Sequence, residues 1–307
     1  MKMLDFERLK NHFGSRLQEN IRLANHTTSR VGGLARFFVV SNSADQLASD
    51  VEFLWVSNIF FLLLGSGSNV LVSDAGVDAV VLQNRAKSIS FETINAQPVI
   101  LAESGANLGT VSREAAQKSF TGLEWASTIP GTLGGAVYGN AGAHGGEMSG
   151  NLILAEILHR EKGRLSFDTE QMGYSYRSSI LKRQPGSAVI LSAKLALHHG
   201  DSAEIKAVMQ ANAEKRRKTQ PTGPSMGSMF KNPVGDYAGR LIEAAGLKGT
   251  KIGGVEISPI HANFMINNGT ANAEEYHRLV LLVQNTVQEK FNIKLDLEIE
   301  LLGKWQD

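Results

Sequence analysis

The chain has 307 residues, 42% of them hydrophobic, enough for two or three compact domains with a sizeable core. Thirty-one basic against 30 acidic side chains give a formal net charge of +1, which excludes a strongly basic nucleic-acid binder but leaves room for local patches that hold a small anion. There are no cysteines, so disulfides, thiolate nucleophiles and zinc–thiolate sites are excluded, and the composition fits a reducing cytoplasm.

The first 23 residues mix charges throughout and lack the apolar stretch of a signal peptide. The longest apolar run, IFFLLL at 59–64, falls far short of the ~18 residues that span a bilayer. We expect a cytoplasmic protein with no membrane segment, no nucleic acid and no obligate protein partner. On that expectation the sequon-like Asn25-His26-Thr27 has no glycosylation meaning.

In chain order, residues 4–19 read as a short amphipathic helix, 36–40 as a strand, 44–58 as a helix, and 59–64 and 77–84 as two more strands. Strand–helix–strand at this spacing suggests a parallel α/β unit. A strand at 98–104 and a helix at 107–119 follow. Residues 122–150 are rich in glycine yet keep apolar residues that can be helical. Segments 151–160 and 187–199 are strand-like. In the second, Val189, Leu191, Ala193, Leu195 and Leu197 share one face. A charged helix covers 201–218, and Pro221 and Pro224 mark a boundary. A helix at 236–246 has Gly246 as its C-cap, and 261–268 is a strand with a turn. Residues 271–291 carry the strongest helical period, through Tyr276, Leu279, Val280, Val283, Val287 and Phe291. The last element, 293–301, alternates strictly and reads as a strand.

Five stretches could carry chemistry. LLGSGSNVLV (63–72) has Gly65 and Gly67 where backbone N–H groups can approach an anion, although it is neither a Walker loop nor G-x-G-x-x-G; a plain tight turn is the competing reading. In 129–147, Gly134 and Gly135 precede a short helix whose start suits phosphate, and Asn140 could cap the helix or meet a ligand. A surface loop in that place would carry more charge. In YSYRSSILK (174–182), Arg177 beside Tyr176 suits a carboxylate or an enolate, against the reading of an ordinary surface arginine. In SMGSMFKNP (225–233), Ser228 is not in a G-x-S-x-G elbow. Glu298 and Glu300 fall on one face of the last strand, so spacing does not choose between them. The histidines show no metal-binding spacing, and no metal is expected.

Together these stretches resemble the UDP-N-acetylenolpyruvoylglucosamine reductase family, in order and over nearly the whole chain. NHTTSRVGGLARFFV (25–39) is similar to the family's T-T-x-x-x-G-G opening and LGSGSNVLV to its flavin-binding turn. GLEWASTIPGTLGGAVYGNAGAHGGE (122–147) is similar to its glycine motif, and YRSS to the Y-R-x-S motif with its catalytic arginine. GSMFKNP resembles the motif with the catalytic serine; AGRLIEAAGLKGTKIGGVEIS and HANFMIN resemble the third domain. LDLEIELLG resembles L-x-x-E-V-x-x-x-G and selects Glu298 over Glu300. The family often has Val-Arg where this chain has Ile299-Glu300, and the short run from GSMFKNP to DYAGRLIEAAG resembles the class without an inserted Tyr loop.

The resemblance implies an α+β fold: a two-subdomain FAD-binding fold of the vanillyl-alcohol-oxidase type plus a C-terminal α/β substrate-binding domain. Its expected division is 1–95 and 96–205 for the two FAD-binding subdomains, 220–291 for the substrate domain, and 292–307 for the terminal strand with the catalytic Glu. It implies NADPH-dependent, FAD-mediated reduction of an enolpyruvyl UDP-sugar, with Arg177, Ser228 and Glu298 catalytic. Gly65, Ser66, Gly67, Ser68, Asn69, Pro130, Gly131, Gly134, Gly135, Asn140 and Gly142 are the expected cofactor residues. Tyr176, Lys218, Lys231, Asn232 and His261 are the expected substrate residues, with Arg217 a further cationic candidate. Ala136 follows Gly134-Gly135 where related flavin oxidases often have a flavin-linked His, so the flavin is expected to be noncovalent. Such an oxidase, or a nucleotide-binding module without catalysis, is the competing reading.

Overall fold

A computed structural model describes residues 3–305 of the chain. They fall into two compact units, each discontinuous in sequence. Among the described residues, the first comprises 3–17, 39–65 and 81–216; the second comprises 18–38, 66–80 and 217–305.

The first unit is built on a five-stranded sheet in the order Gly163–Phe167, Leu152–His159, Ala188–Ala196, Gln97–Glu103, Ile89–Ile94, with every neighbouring pair antiparallel. Ala188–Ala196 lies in the middle. Five consecutive residues, Val189 to Ala193, are buried, so the one-faced pattern expected from alternation is exceeded. The reason is cover: helices Leu133–Gly139 and Ala44–Val56 both pack on this strand. Ile89–Ile94 and Gly163–Phe167 are edge strands absent from the sequence reading. Ile89–Ile94 turns into Gln97–Glu103 through Asn95 (φ 50°) and Ala96 (φ 64°), the two left-handed residues of a tight hairpin. Helix Leu108–Gln117 starts where Asn107 Oδ1 accepts the Thr110 N–H, and it buries Leu108, Val111, Ala115 and Ala116. Leu34–Ser41 and Phe61–Leu64 belong to one sheet but are not neighbours, because Val77–Asn84 lies between them.

The helix expected over 4–19 ends at Phe13. Gly14, at φ 55°, breaks it into a short turn, and Gln18–Arg22 is a strand.

The second unit has its own core around helix Ala273–Phe291. Asn272 and Glu275 form a reciprocal capping box at its start, and Asn292 (φ 55°) closes its end. Tyr276, Leu279, Val280, Val283 and Val287 are fully buried, each contributing about 1.5–3 kcal/mol of transfer free energy as an upper figure. Helix Ala238–Ala244 packs against it. Strands Lys251–Ile252, Val255–Ile257 and Met265–Asn267 form an antiparallel sheet. Gln18–Arg22 pairs with the start of Leu34–Ser41 in antiparallel fashion.

The terminal strand is shorter than its alternation suggests. Only Glu300–Leu302 forms a ladder, in parallel with Val70–Val72. Residues 293–299 keep the in–out pattern, with Leu295 and Ile299 buried, but their backbone bonds go to the segment around Phe230. Among the described residues, no helix is long and apolar enough to cross a membrane, and no group of three His, Asp or Glu side chains could hold a metal ion.

Candidate functional site

The site residues of the first unit are organised by helix Leu133–Gly139. Its first-turn donors are already engaged. Leu133 N–H bonds the Ala106 carbonyl (2.8 Å), Gly134 N–H the Ser104 carbonyl (2.7 Å), and Gly135 N–H the Thr132 hydroxyl (3.3 Å). The phosphate-binding helix start expected from sequence is therefore satisfied by the protein itself. Gly134 serves close packing, since a Cβ there would stand 2.8 Å from Ser104 Cβ. Pro130 and Gly135 are exposed and Gly131 half-buried, and the Gly131 carbonyl accepts from Leu108 N–H. Asn140 is buried in a left-handed conformation and caps the helix. Its amide accepts from Ser149 N–H (3.0 Å) and donates to the Ser175 carbonyl (3.3 Å), which makes it a structural clamp.

Arg177 occupies a two-residue turn. Ser175 and Ser178 exchange both backbone bonds at 3.1 Å, and Arg177 takes φ 54° between them. The turn is pinned to the helix end through Tyr174 hydroxyl to Val137 carbonyl, Asn140 to Ser175, and Ser179 hydroxyl to Tyr138 carbonyl. The half-buried Arg177 guanidinium donates to the Gly142 carbonyl (3.0 Å) and lies 5.2 Å from the Tyr176 ring centroid. Tyr176 itself is 49% exposed.

In the second unit, Ser228 follows Gly227 (φ 76°) on a short extended segment. One side of the segment is held by Asn263. Its carbonyl accepts from Met229 N–H (2.9 Å), its Oδ1 accepts from Phe230 N–H (2.9 Å), and its Nδ2 donates to the Phe230 carbonyl (2.8 Å). On the other side, Glu298 N–H donates to the Met229 carbonyl (2.9 Å) and Lys231 N–H to the Asp296 carbonyl (2.8 Å). The structure thus joins Ser228, Lys231 and Glu298 on one framework. Asn232 is exposed, and its Oδ1 accepts from Ala238 N–H at the start of helix Ala238–Ala244. His261 abuts that helix, where a Cβ on Gly239 would lie 3.4 Å from its ring. Burial is the main cause holding the imidazole below its ordinary pKa, and its Nδ1 accepts from Asn263 N–H (3.3 Å).

The glycine turn meets the same framework. Asn69 Nδ2 donates to the Glu298 carbonyl (3.0 Å), and Glu300 N–H donates to the Asn69 carbonyl (2.9 Å). Gly67 has φ 66°, and a Cβ there would stand 2.2 Å from the His26 carbonyl oxygen. Among the described residues, nothing accepts from the N–H groups of Gly67, Ser68 and Asn69. A turn that glycine alone can form, with successive donors left over, fits the diphosphate of a dinucleotide.

Arg217 and Lys218 are exposed at the end of helix Ser202–Thr219. The inward-turned cation of this run is Arg216, which sequence reasoning missed. It donates to the Thr128 carbonyl, and burial lowers its pKa. A run of four basic residues gives no signal for which one turns inward. Asn263 was also missed, although it lies within the HANFMIN stretch; its chemistry depends on partners 33 residues away in the chain.

Comparison with known proteins agrees with these features. Residues 35–161 match the FAD binding domain family, and residues 219–302 match the C-terminal domain of UDP-N-acetylenolpyruvoylglucosamine reductase. The chain is 39% identical over 300 residues to the UDP-N-acetylenolpyruvoylglucosamine reductase of Bacillus subtilis, covering 97% of both chains. It is 38% identical to that of Chloroflexus aggregans, covering 93% of this chain and 97% of the relative. A crystal structure of the Thermus caldophilus reductase superposes with a TM-score of 0.79 at 32% identity, covering 94% of this chain and 100% of that one. The chain belongs to the UDP-N-acetylenolpyruvoylglucosamine reductase family.

Proposed function

We propose that the chain reduces UDP-N-acetylglucosamine enolpyruvate to UDP-N-acetylmuramate for peptidoglycan precursor synthesis, with noncovalent FAD and with NADPH as cosubstrate. The observation that supports this reading is the shared framework on which the Ser228 segment, Glu298 and the glycine turn are joined: Glu298 N–H to the Met229 carbonyl, Asn69 Nδ2 to the Glu298 carbonyl and Glu300 N–H to the Asn69 carbonyl. FAD, when bound and reduced by NADPH, would supply the hydride that the enol ether needs at its β-carbon.

Hydride addition drives negative charge toward the substrate carboxylate. Arg177 answers that charge with a guanidinium whose turn is fixed at both ends. Glu298 helps only if it carries a proton, or if it polarises another donor, because a bare carboxylate would repel the same charge. Ser228 gives its hydroxyl proton to the α-carbon. A hydroxyl is a weak acid, but a carbanion-like carbon is a strong base, and Lys231 nearby in the chain lowers the cost. No His–Asp relay is needed, since Ser228 is not a nucleophile.

Ser66, Gly67, Ser68 and Asn69 are assigned to the cofactor diphosphate. Gly65, Pro130, Gly131, Gly134, Gly135, Asn140 and Gly142 shape the remainder of the cofactor site, Asn140 as a clamp. Tyr176, Lys218, Lys231, Asn232 and His261 are assigned to the UDP-sugar. Residues 1–205 serve the cofactor, 220–291 the substrate, and 292–307 supply Glu298. The place of action is the cytoplasm. The test is the absorption spectrum of the purified protein before and after heating: this reading requires flavin bands and release of free FAD, and a colourless protein that FAD does not reconstitute would end it.

A further inference from the structure

Thr28 stands where two functional segments meet, and the reading above gives it no role. Its hydroxyl donates to the Ser225 carbonyl at 2.7 Å, three residues before Ser228, and lies 3.3 Å from the Gly67 carbonyl. Its N–H donates to the same Gly67 carbonyl at 3.1 Å. The glycine turn rests directly on this part of the chain, since a Cβ on Gly67 would meet the His26 carbonyl at 2.2 Å and Thr27 Cα at 2.8 Å. The loop is braced in turn. The Thr27 hydroxyl donates to the Val31 carbonyl (2.8 Å), and Asn267 Nδ2 donates to the Ser29 carbonyl (2.9 Å).

These bonds close a circuit. From Gly67 it runs through Thr28 to Ser225, along the chain past Ser228 to Met229, across to Glu298, and back through Asn69 to the turn. All its members lie in the second unit. In a closed circuit, a shift of the turn is transmitted to Ser228 from both sides, through Thr28 and through Asn69 with Glu298. Two carbonyls converge on one residue: its N–H holds Gly67, and its hydroxyl, on a β-branched and conformationally stiff side chain, holds Ser225.

We propose that Thr28 is a positioning residue that couples the cofactor turn to the proton-donor segment, so that the geometry of the turn sets the place of the Ser228 hydroxyl. The inference rests on the functional reading above. Its test uses the full-length protein with Thr28→Val, which keeps the shape and loses the donor, and Thr28→Ser, which keeps the donor. Two quantities are read: the dissociation constant of FAD, from quenching of flavin fluorescence, and the single-turnover rate at which the enolpyruvyl substrate oxidises the reduced protein at saturating FAD. Loss of the one hydroxyl donor frees the Ser225 carbonyl while the Thr28 N–H still holds Gly67, so Thr28→Val should slow the substrate step by about 3- to 10-fold and weaken FAD binding by a smaller factor, and Thr28→Ser should restore both to within about 2-fold. Should Thr28→Val lose the fold, Thr28→Ala reads the same two losses.

A substrate step at the wild-type rate in Thr28→Val would overturn the coupling, whatever happened to FAD affinity. Equal loss in Thr28→Ser and Thr28→Val would overturn it too, by tracing the effect to the methyl group. Both outcomes leave the functional reading standing. Failure of the wild-type protein to bind FAD would instead remove that reading, and this inference with it.

Discussion

Replacing Asn263 by Ala should loosen the Ser228 segment by an amount the structure allows to be estimated. The Asn263 amide satisfies both backbone groups of Phe230, at 2.9 and 2.8 Å, with Phe230 1% exposed and Asn263 3% exposed. Alanine keeps the backbone bond from Met229 N–H but strands the Phe230 N–H and carbonyl in the interior. Each buried unsatisfied group costs about 1–3 kcal/mol, so the pair should cost ~2–4 kcal/mol after local relaxation. That is a large part of the ~5–15 kcal/mol that stabilises a domain. Hydrogen exchange read by mass spectrometry on a peptide spanning 226–233 reports the local opening directly. Protection of the Met229 and Phe230 amides should fall ~30- to 1,000-fold, at 1.4 kcal/mol per factor of ten. Peptides from strand Ala188–Ala196, in the other unit, should exchange as before. A change under ~3-fold at Phe230 would refute the reasoning, and would mean that the bonds to 296–298 alone hold the segment.

Three further outcomes follow from the same geometry. Ser228→Ala should slow oxidation of the reduced protein by the enolpyruvyl substrate roughly 10²- to 10⁴-fold while reduction by NADPH survives; equal slowing of both half-reactions in stopped-flow absorbance would remove the proton-donor role. Gly67→Ala should abolish FAD binding in a fluorescence titration, because the new Cβ meets the His26 carbonyl and the residue sits at φ 66°; near-normal affinity would show that the turn does not hold the diphosphate. His261 has a folded-state pKa below its ordinary value, so the stability it contributes is complete above about pH 6.5 and is lost as pH falls through the lower folded value. Melting temperatures from pH 7.5 down to pH 5 should therefore fall more for the wild type than for His261→Gln, and parallel curves would contradict the sign.

Much of this was legible in the sequence where local signals agree. Helix Ala273–Phe291 declares itself by its helical period. Strand Ala188–Ala196 is equally clear, because a central strand is rich in residues that pack on a pleated surface. The edge strands Gln18–Arg22 and Gly163–Phe167 were not legible, since their side chains are mostly exposed and polar and only the ladder defines them. Residues 293–299 mislead in the opposite direction. Alternation reports an extended backbone with one side buried, and it does not report whether a neighbouring strand is there to pair with.

The candidate site divides in the same way. Arg177, Ser228 and Glu298 were reached through motifs, whereas Asn263, Thr28 and Arg216 act through partners between 33 and 197 residues away, which no local pattern encodes. The engaged N-terminus of helix Leu133–Gly139 is of that kind too. A glycine pair before a helix can cradle an anion or allow close packing of neighbouring backbone, and the bonds to Ala106 and Ser104 engage its first N–H groups with the loop after strand Gln97–Glu103.

The measurement that bears most directly on the proposed reaction is an anaerobic one. The purified protein is reduced with NADPH, separated from it, and mixed with UDP-N-acetylglucosamine enolpyruvate while the flavin absorbance is followed. The account predicts return of the oxidised flavin bands in a single phase, with one lactyl ether product formed per flavin and two hydrogens heavier than the substrate by mass. A reduced flavin that stays reduced in the presence of this substrate, yet reoxidises in air, would contradict it and would favour a flavin oxidase of the same architecture.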